Sequence, residues 1–296
     1  MKKLSITVAI PTCYGGESLI STAKTIYASK GVGDFRFIIV ADRTPVSPKI
    51  KKTLKEMGVE LFWNPVEGSQ PKKLKQMRDM TKSDLFVFTQ DDIDFTPDAL
   101  RIMTERFEKD PKLTALSVAI LPHSDTKTWV EAGMASFIRI VFTIARLWNK
   151  GDNYLAASGR CMVFRMSHFN EYRIPEKMVN TDMFFYLENK RLNGKFAMAP
   201  DSEVYIRAPQ TLKDQLGPSS RYQFQRAELT KFFDFDYSHE YTVPTIIALW
   251  AVIKEFIHHP LGVIQYAFVF AYTRIKKQPS KTVSNPVWAV DSTTKS

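Results

Sequence analysis

At 296 residues the chain exceeds one average domain, yet it can still form a single α/β unit with an added lobe. Its 44% hydrophobic content supports a large core, and a formal net charge of +10 points to an anionic partner: nucleotide phosphates, anionic lipid or nucleic acid. The two cysteines, Cys13 and Cys161, are far apart and lack metal-ligand spacing, which argues against a disulfide framework or a zinc site and fits a reducing compartment.

The chain enters Leu4–Ile10 directly from Met1-Lys2-Lys3; the apolar run is too short for a signal-peptide core and has no cleavage site, so a cytosolic protein is expected. Leu4–Ile10 predicts a buried strand, stopped by Pro11 and a Cys13–Gly16 turn. Leu19, Ile20, Ala23, Ile26 and Tyr27 recur at helical spacing. Arg36–Ala41 is a second predicted strand. Ser47-Pro48 then starts a helix with proline at its first position, and Val59–Trp63 makes a third strand. After a Gly68–Pro71 loop comes a basic helix, Lys72–Met80, followed by the doubly buried strand Leu85–Thr89. Thr96-Pro97 opens another helix, and Leu113–Leu121 is a fifth strand. This alternation predicts a mostly parallel sheet with helices on both faces.

Polar clusters follow these strands: Pro11-Thr12 after the first, Asp42 after the second, and Asp91, Asp92 and Asp94 after the fourth. Ligands of open α/β sheets bind at such carboxyl ends. Carboxylates in a D-x-D pair such as Asp92-Ile93-Asp94, with Asp91 as a third oxygen ligand, suit a hard divalent cation shared with phosphates. A solvated acidic turn is the competing reading. Asp42 can accept hydrogen bonds from a ribose or a base imide, or simply initiate a turn. On the basic helix, Lys73 or Arg78 can meet a diphosphate, or belong to a solvated charged face. Neither G-x-G-x-x-G after the first strand nor G-x-x-x-x-G-K-[ST] occurs, so dinucleotide and P-loop sites are excluded.

Beyond Pro122 the character changes. Trp129–Trp148 is about twenty residues long and apolar, but Glu131, Arg139 and Arg146 oppose a membrane span. It reads equally as an amphipathic helix lying in a membrane interface or as a core helix. Ala157–Arg165 predicts a strand whose Gly159 permits close approach to a ligand. Thr181-Asp182 precedes a helical pattern closed by Gly194; Asp182 is either a helix cap or a general base. Gln210–Arg226 starts helically and is expected to break at Gly217-Pro218. Val243–Ile253 and Leu261–Tyr272 are apolar but each is too short to cross a bilayer; with Trp250, Arg274, Lys276 and Lys277 they suit shallow insertion beside anionic lipid. A polar tail closes the chain and is expected to be disordered.

Taken in order, these motifs resemble family 2 glycosyltransferases, the inverting enzymes of the GT-A fold, over roughly Ser5 to Gln225. The first strand with Pro11-Thr12 is similar to the family's opening motif, and Asp42 falls where the family carries its base-binding aspartate. Lys73 and Arg78-Asp79 match the basic segment before the metal strand. Phe88–Asp94 with Pro97-Asp98-Ala99-Leu100 resembles the metal motif and the helix after it; counted back from Pro97, that motif falls on Gln90-Asp91-Asp92, and Asp92 belongs to either register. Thr181-Asp182 sits where the family has its catalytic base, and Arg221-Tyr222 resembles the end of Q-x-x-R-W. Pro218 stands at that motif's glutamine position and Tyr222 at its tryptophan, which speaks against processive synthesis.

The resemblance implies a Mg²⁺- or Mn²⁺-dependent inverting transfer from a UDP-, GDP- or dTDP-linked sugar to a glycan or lipid-linked acceptor. Asp182 and Arg221 would be catalytic; Pro11, Thr12, Asp42, Lys73, Arg78 and Asp91 would bind the donor; Asp92 and Asp94 would hold metal. It also implies a donor half at 1–122, an acceptor and catalytic half at 123–235, amphipathic helices at 236–278 on the cytosolic membrane face, and a tail at 279–296. A nucleotidyltransferase is the enzymatic alternative, although Gly15-Gly16 lacks the nearby arginine such a loop needs. A non-enzymatic basic module is the other. With no recognised nucleic-acid motif, nucleic acid is not an expected partner.

Overall fold

The computed structural model describes residues 3–13 and 15–276, with the side chains of 222–226 excepted; Tyr14, the side chain of Tyr222 and the 279–296 tail lie outside the described residues. In chain order the elements are β1 (Ile6–Thr12), α1 (Glu17–Tyr27), β2 (Arg36–Ala41), α2 (Pro48–Glu56), β3 (Glu60–Trp63), α3 (Gln70–Asp79), β4 (Leu85–Thr89), β5 (Ile93–Phe95), α4 (Ala99–Lys109), β6 (Leu113–Pro122), α5 (Trp129–Leu147), β7 (Cys161–Arg165), α6 (Met166–Phe169), α7 (Thr181–Arg191), β8 (Lys195–Ile206), α8 (Leu212–Leu229), α9 (Thr245–His258) and α10 (Pro260–Ile275). The strands form one eight-stranded sheet in the order β3-β2-β1-β4-β7-β6-β8-β5.

Six strands run one way, as the alternation predicts; β7 and β5 run against them. β5 follows β4 after only Gln90–Asp92, far too short for the crossover that a parallel strand needs. The reversal of β7 has a larger effect. Because Cys161 pairs with Thr89, the residues that enter β7 lie beside the residues that leave β4. Gly159 and Arg160 therefore stand at the carboxyl edge of the sheet.

Alternation along the strands divides the core into two layers. Val8, Ile10, Ile39, Val87 and Val163 face α1, α2 and α4, whereas Ala9, Val40, Phe86, Phe88, Met162 and Phe164 face α3, α6 and α7. Both cysteines are free thiols, Cys161 fully buried within β7.

One sequence expectation is corrected here, one strand adds to the pattern, and one open alternative is resolved. The helix expected to break at Gly217-Pro218 runs unbroken from Leu212 to Leu229, with Pro218 inside it. Thr211 caps its start by accepting from the Asp214 N–H. The twelve-residue β8 was not foreseen: Pro200 and Asp201 interrupt its period-2 pattern, and the ladder with β6 shifts register there, pairing Val118 with Ala199 and Ala119 with Glu203. Of the two readings of Trp129–Trp148, the core helix is the one observed. α5 packs against β6, α9 and α10, and although Trp129 is exposed, Trp148 is buried.

α7 is held from below by Glu188. Its fully buried carboxylate accepts from the Arg173 N–H at 2.9 Å and from the guanidinium groups of Arg173 and Arg191 at 2.8 Å each. Burial alone would raise its pKa, but these hydrogen bonds outweigh it and hold the carboxyl down at about 2. A depressed folded-state pKa stabilises the fold above the unfolded value, and that stability is lost as pH falls toward the folded value. Glu188→Gln is thus expected to cost about 3 kcal/mol at neutral pH and to flatten the stability profile between pH about 4.5 and about 2. Denaturant unfolding across that window checks this; a variant whose profile parallels the parent would contradict it.

Candidate active site

At the carboxyl edge, β1 ends in Pro11 and Thr12. The Thr12 hydroxyl donates to Asp91 Oδ2 and accepts the Gly15 N–H at 3.2 Å. Gly15 adopts φ +59, and a Cβ there would lie 2.7 Å from Val46 Cγ2, so the turn requires glycine. One strand over, Asp42 is buried. Its Oδ2 accepts the Gly68 N–H at 2.8 Å and its Oδ1 lies 2.7 Å from Lys73 Nζ, itself buried. Arg43 meets Glu67 at 2.8 Å, so the loops after β2 and β3 are pinned together. Lys73 reaches Asp42 because Ser69 caps α3, accepting from the Lys72 N–H, and starts the helix at this edge.

Beyond β4 the three acids diverge. Asp91 turns to Thr12. Asp92, only 6% exposed in its side chain, meets Arg160 Nη1 at 3.3 Å, and Gln90 Oε1 accepts from the same nitrogen at 2.9 Å. Asp94 lies on β5 with its Oδ2 3.1 Å from His123 Nε2. Among the described residues no three His, Cys, Asp or Glu side chains gather as metal ligands. Asp92 and Asp94 have different partners, Arg160 and His123. Gln90 and Asp92 do converge, since both point oxygens at one cationic nitrogen. One carboxylate and one amide oxygen, completed by diphosphate oxygens and water, fit a hard divalent cation.

Asp182, at the start of α7, completes the edge. Its carboxylate lies against Gly159, where a Cβ would be 2.3 Å from Oδ1, and accepts from the Thr181 hydroxyl at 3.1 Å. Burial raises the Asp182 pKa above the usual carboxylate range, while the Gly159 N–H, the Thr181 hydroxyl and the Arg160 charge pull it partway back. The glycine read from sequence as a ligand approach thus accommodates a carboxylate of the chain itself. Glu228 on α8 fixes the preceding backbone, accepting from Val179 N at 2.7 Å and from Asn180 N and Nδ2 at 3.0 Å each. Arg221 lies seven residues before Glu228, on the same face of α8 and two turns away.

The fold therefore brings Pro11, Thr12, Asp42, Lys73, Asp91, Asp92 and Asp182 to one edge. Arg78 is not among them. It sits near the far end of α3, donates to the Tyr172 carbonyl at 2.8 Å and lies 6.0 Å over the Phe169 ring, at the opposite edge of the sheet. Arg160 and Glu228 were missed by sequence reading. Their roles depend on the register of β7 and the packing of α8, neither of which is written in local pattern.

An edge that gathers strand-end acids, a buried Asp–Lys pair and a raised-pKa carboxyl on such a sheet is the architecture of GT-A glycosyltransferases. The chain resembles a mannosyltransferase from Pyrobaculum calidifontis solved with GDP-Man and Mn²⁺: TM-score 0.56 and 11% identity, covering 95% of this chain and 78% of that one. It also resembles residues 1–349 of S. aureus TarS solved with UDP (TM-score 0.52, 13% identity, 86% and 72% covered), and spans 44% of the longer TarS structure. A third match is glucosyl-3-phosphoglycerate synthase from Mycobacterium tuberculosis in complex with phosphoglyceric acid, with TM-score 0.52, 13% identity, and 77% and 79% covered. No curated sequence matches the chain.

Residues 87–274 match the pattern of Glycosyl transferase family group 2, and the chain belongs to that family. The protein is an enzyme of the glycosyltransferase class, and the alternatives of a nucleotidyltransferase and a non-enzymatic basic module fall away.

The Asp42–Lys73 pair gives a direct test. Lys73→Met would leave a buried carboxylate unpaired and is expected to cost about 3–5 kcal/mol. Double replacement by Asp42→Asn with Lys73→Met should recover much of that loss in thermal unfolding; a single variant as stable as the parent would show that the pair does not form.

Proposed function

We propose that this enzyme moves a sugar from a nucleoside diphosphate sugar to a hydroxyl of a glycan or lipid-linked acceptor, with inversion at the anomeric carbon. The observation that carries the reading is the Asp182 carboxyl, with its raised pKa, set against Gly159 at the same sheet edge as Thr12, Asp42 and Asp92. The solved relatives with GDP-Man and Mn²⁺ and with UDP support a nucleotide-linked donor.

In this reading the nucleoside enters over the ends of β1 and β2. Asp42 and Lys73 hold the Gly68 loop that walls it, and Thr12 keeps Asp91 in place. Gln90 and Asp92 would hold a divalent cation, Mg²⁺ or Mn²⁺, which supplies positive charge to the diphosphate leaving group. Arg160 stands beside them and can meet phosphate oxygens, and Arg221, on α8 two turns before Glu228, is assigned the same task. Asp182 accepts the proton of the acceptor hydroxyl as its oxygen attacks the anomeric carbon from the face opposite the leaving group. The new glycosidic bond forms as the carbon–oxygen bond to the diphosphate breaks, and the nucleoside diphosphate departs with that electron pair.

Asp182→Asn is expected to lower kcat by about 100- to 10,000-fold while leaving donor affinity, measured by calorimetry, nearly unchanged. Full activity in this variant would refute the base assignment. Since burial raises the pKa of Asp182, its unprotonated form predominates only at a higher pH than for an ordinary aspartate. The acid limb of the kcat profile should accordingly lie above the pH at which an ordinary aspartate titrates, and activity should disappear as pH falls through it. An inverted product by NMR fixes the stereochemistry; a retained one would overturn the single-displacement mechanism.

A further inference from the structure

The transfer chemistry leaves the outer face of the α9–α10 hairpin unused. Of the eighteen large apolar side chains that stand exposed among the described residues, twelve lie between Ile246 and Ile275. They follow helical spacing. On α9 the face is formed by Ile246, Leu249, Trp250, Ile253 and Ile257, and on α10 by Leu261, Ile264 and Phe268, with Ile246 83% and Phe268 66% exposed. A contiguous apolar surface of this kind marks an interaction site rather than ordinary surface scatter.

The opposite faces are tied down. Gly133 of α5 lies where a Cβ would be 2.7 Å from Tyr266 N, and Gly262 where one would be 2.2 Å from Ser136 Oγ, so the α5 and α10 backbones nearly touch. Phe137 stacks on Tyr266 at 4.9 Å, and the buried Glu255 accepts from Arg139 at 2.7 Å across the α5–α9 contact. The hairpin is therefore part of the folded body, and its apolar face cannot turn inward.

Charge identifies the occupant. From Thr245 to Lys276 the only acidic residue is Glu255, buried and paired with Arg139, whereas Lys254 flanks the face and Arg274 and Lys276 stand exposed at its end. No helix among the described residues is long and apolar enough to cross a membrane. We infer that the α9–α10 hairpin lies flat on an anionic lipid surface, with Trp250, Ile253 and Phe268 entering the acyl boundary and Lys254, Arg274 and Lys276 meeting the headgroups. This docking does not depend on the transfer reading, although α10 also packs on α8, which carries Arg221 and Glu228. A membrane-bound hairpin thus brings the catalytic edge to an acceptor at the bilayer surface.

The test is flotation of the full chain with phosphatidylcholine vesicles, with and without phosphatidylserine, at low and high salt, together with sedimentation to follow self-association. The protein is expected to float with the phosphatidylserine vesicles and to release as salt rises. Trp250→Ser with Phe268→Ser should lower the bound fraction on the order of tenfold with unchanged thermal unfolding, because both side chains are solvent-exposed. Protein that stays at the bottom with both vesicle types overturns the inference. If the same sample sediments as a dimer that the double substitution dissociates, a second copy covers the face instead. Loss of flotation with intact transfer would separate this surface from the catalytic reading.

Discussion

A carboxyl group pressed against a residue that has no side chain is the contact on which this site depends. Asp182 lies where any Cβ at position 159 would be, and burial keeps its proton affinity high. The surrounding parts converge on that one placement. β7 must run backward to deliver Gly159, Glu188 must anchor the lower turns of α7, and Glu228 must hold the backbone that leads into it. Two buried carboxylates, Glu188 and Glu228, are thus used to set a third. Each of the two supporting acids is satisfied by several donors, which is the condition under which buried charge is tolerated at all.

Charge is distributed on two scales. The chain as a whole is strongly cationic, yet the carboxyl edge of its sheet is acidic, with Asp91 and Asp92 after β4 and Asp182 in the first turn of α7. The local cations are committed: Lys73 to Asp42, and Arg160 to Gln90 and Asp92. Such an edge does not attract a bare phosphate backbone. The excess positive charge lies elsewhere, with Lys254, Arg274 and Lys276 on or beside the α9–α10 hairpin.

Much of the fold was legible in sequence because doubly buried strands announce themselves as short β-branched runs closed by proline, glycine or acids. The ends of β1, β2 and β4 fell where the polar clusters lay, and Thr12, Asp42, Asp91 and Asp92 were found with them. The strand β8 was hidden because Pro200 and Asp201 sit in its bulge. Arg160 was hidden because its place depends on the direction of β7, a tertiary fact. Arg78 shows the opposite failure: a basic helix carries its cations along its whole length, but only its first turn reaches the carboxyl edge, so Lys73 arrives there and Arg78 does not. For Asp94 the local pattern is silent, because Asp92 lies in the turn before β5 and Asp94 on the strand itself, and the two meet different partners, Arg160 and His123.

The reversed direction of β7 bears on how such an enzyme can diversify. The segment between α5 and β7 enters the sheet from the edge where the chemistry is placed, and it is bounded by one long helix and one short strand, both fixed by their own packing. Residues can be added to or removed from that entrance at the small entropic cost of a surface loop without shifting any ladder register. That entrance is therefore free to change shape over evolutionary time while the parallel strands β1, β2 and β4 keep their register.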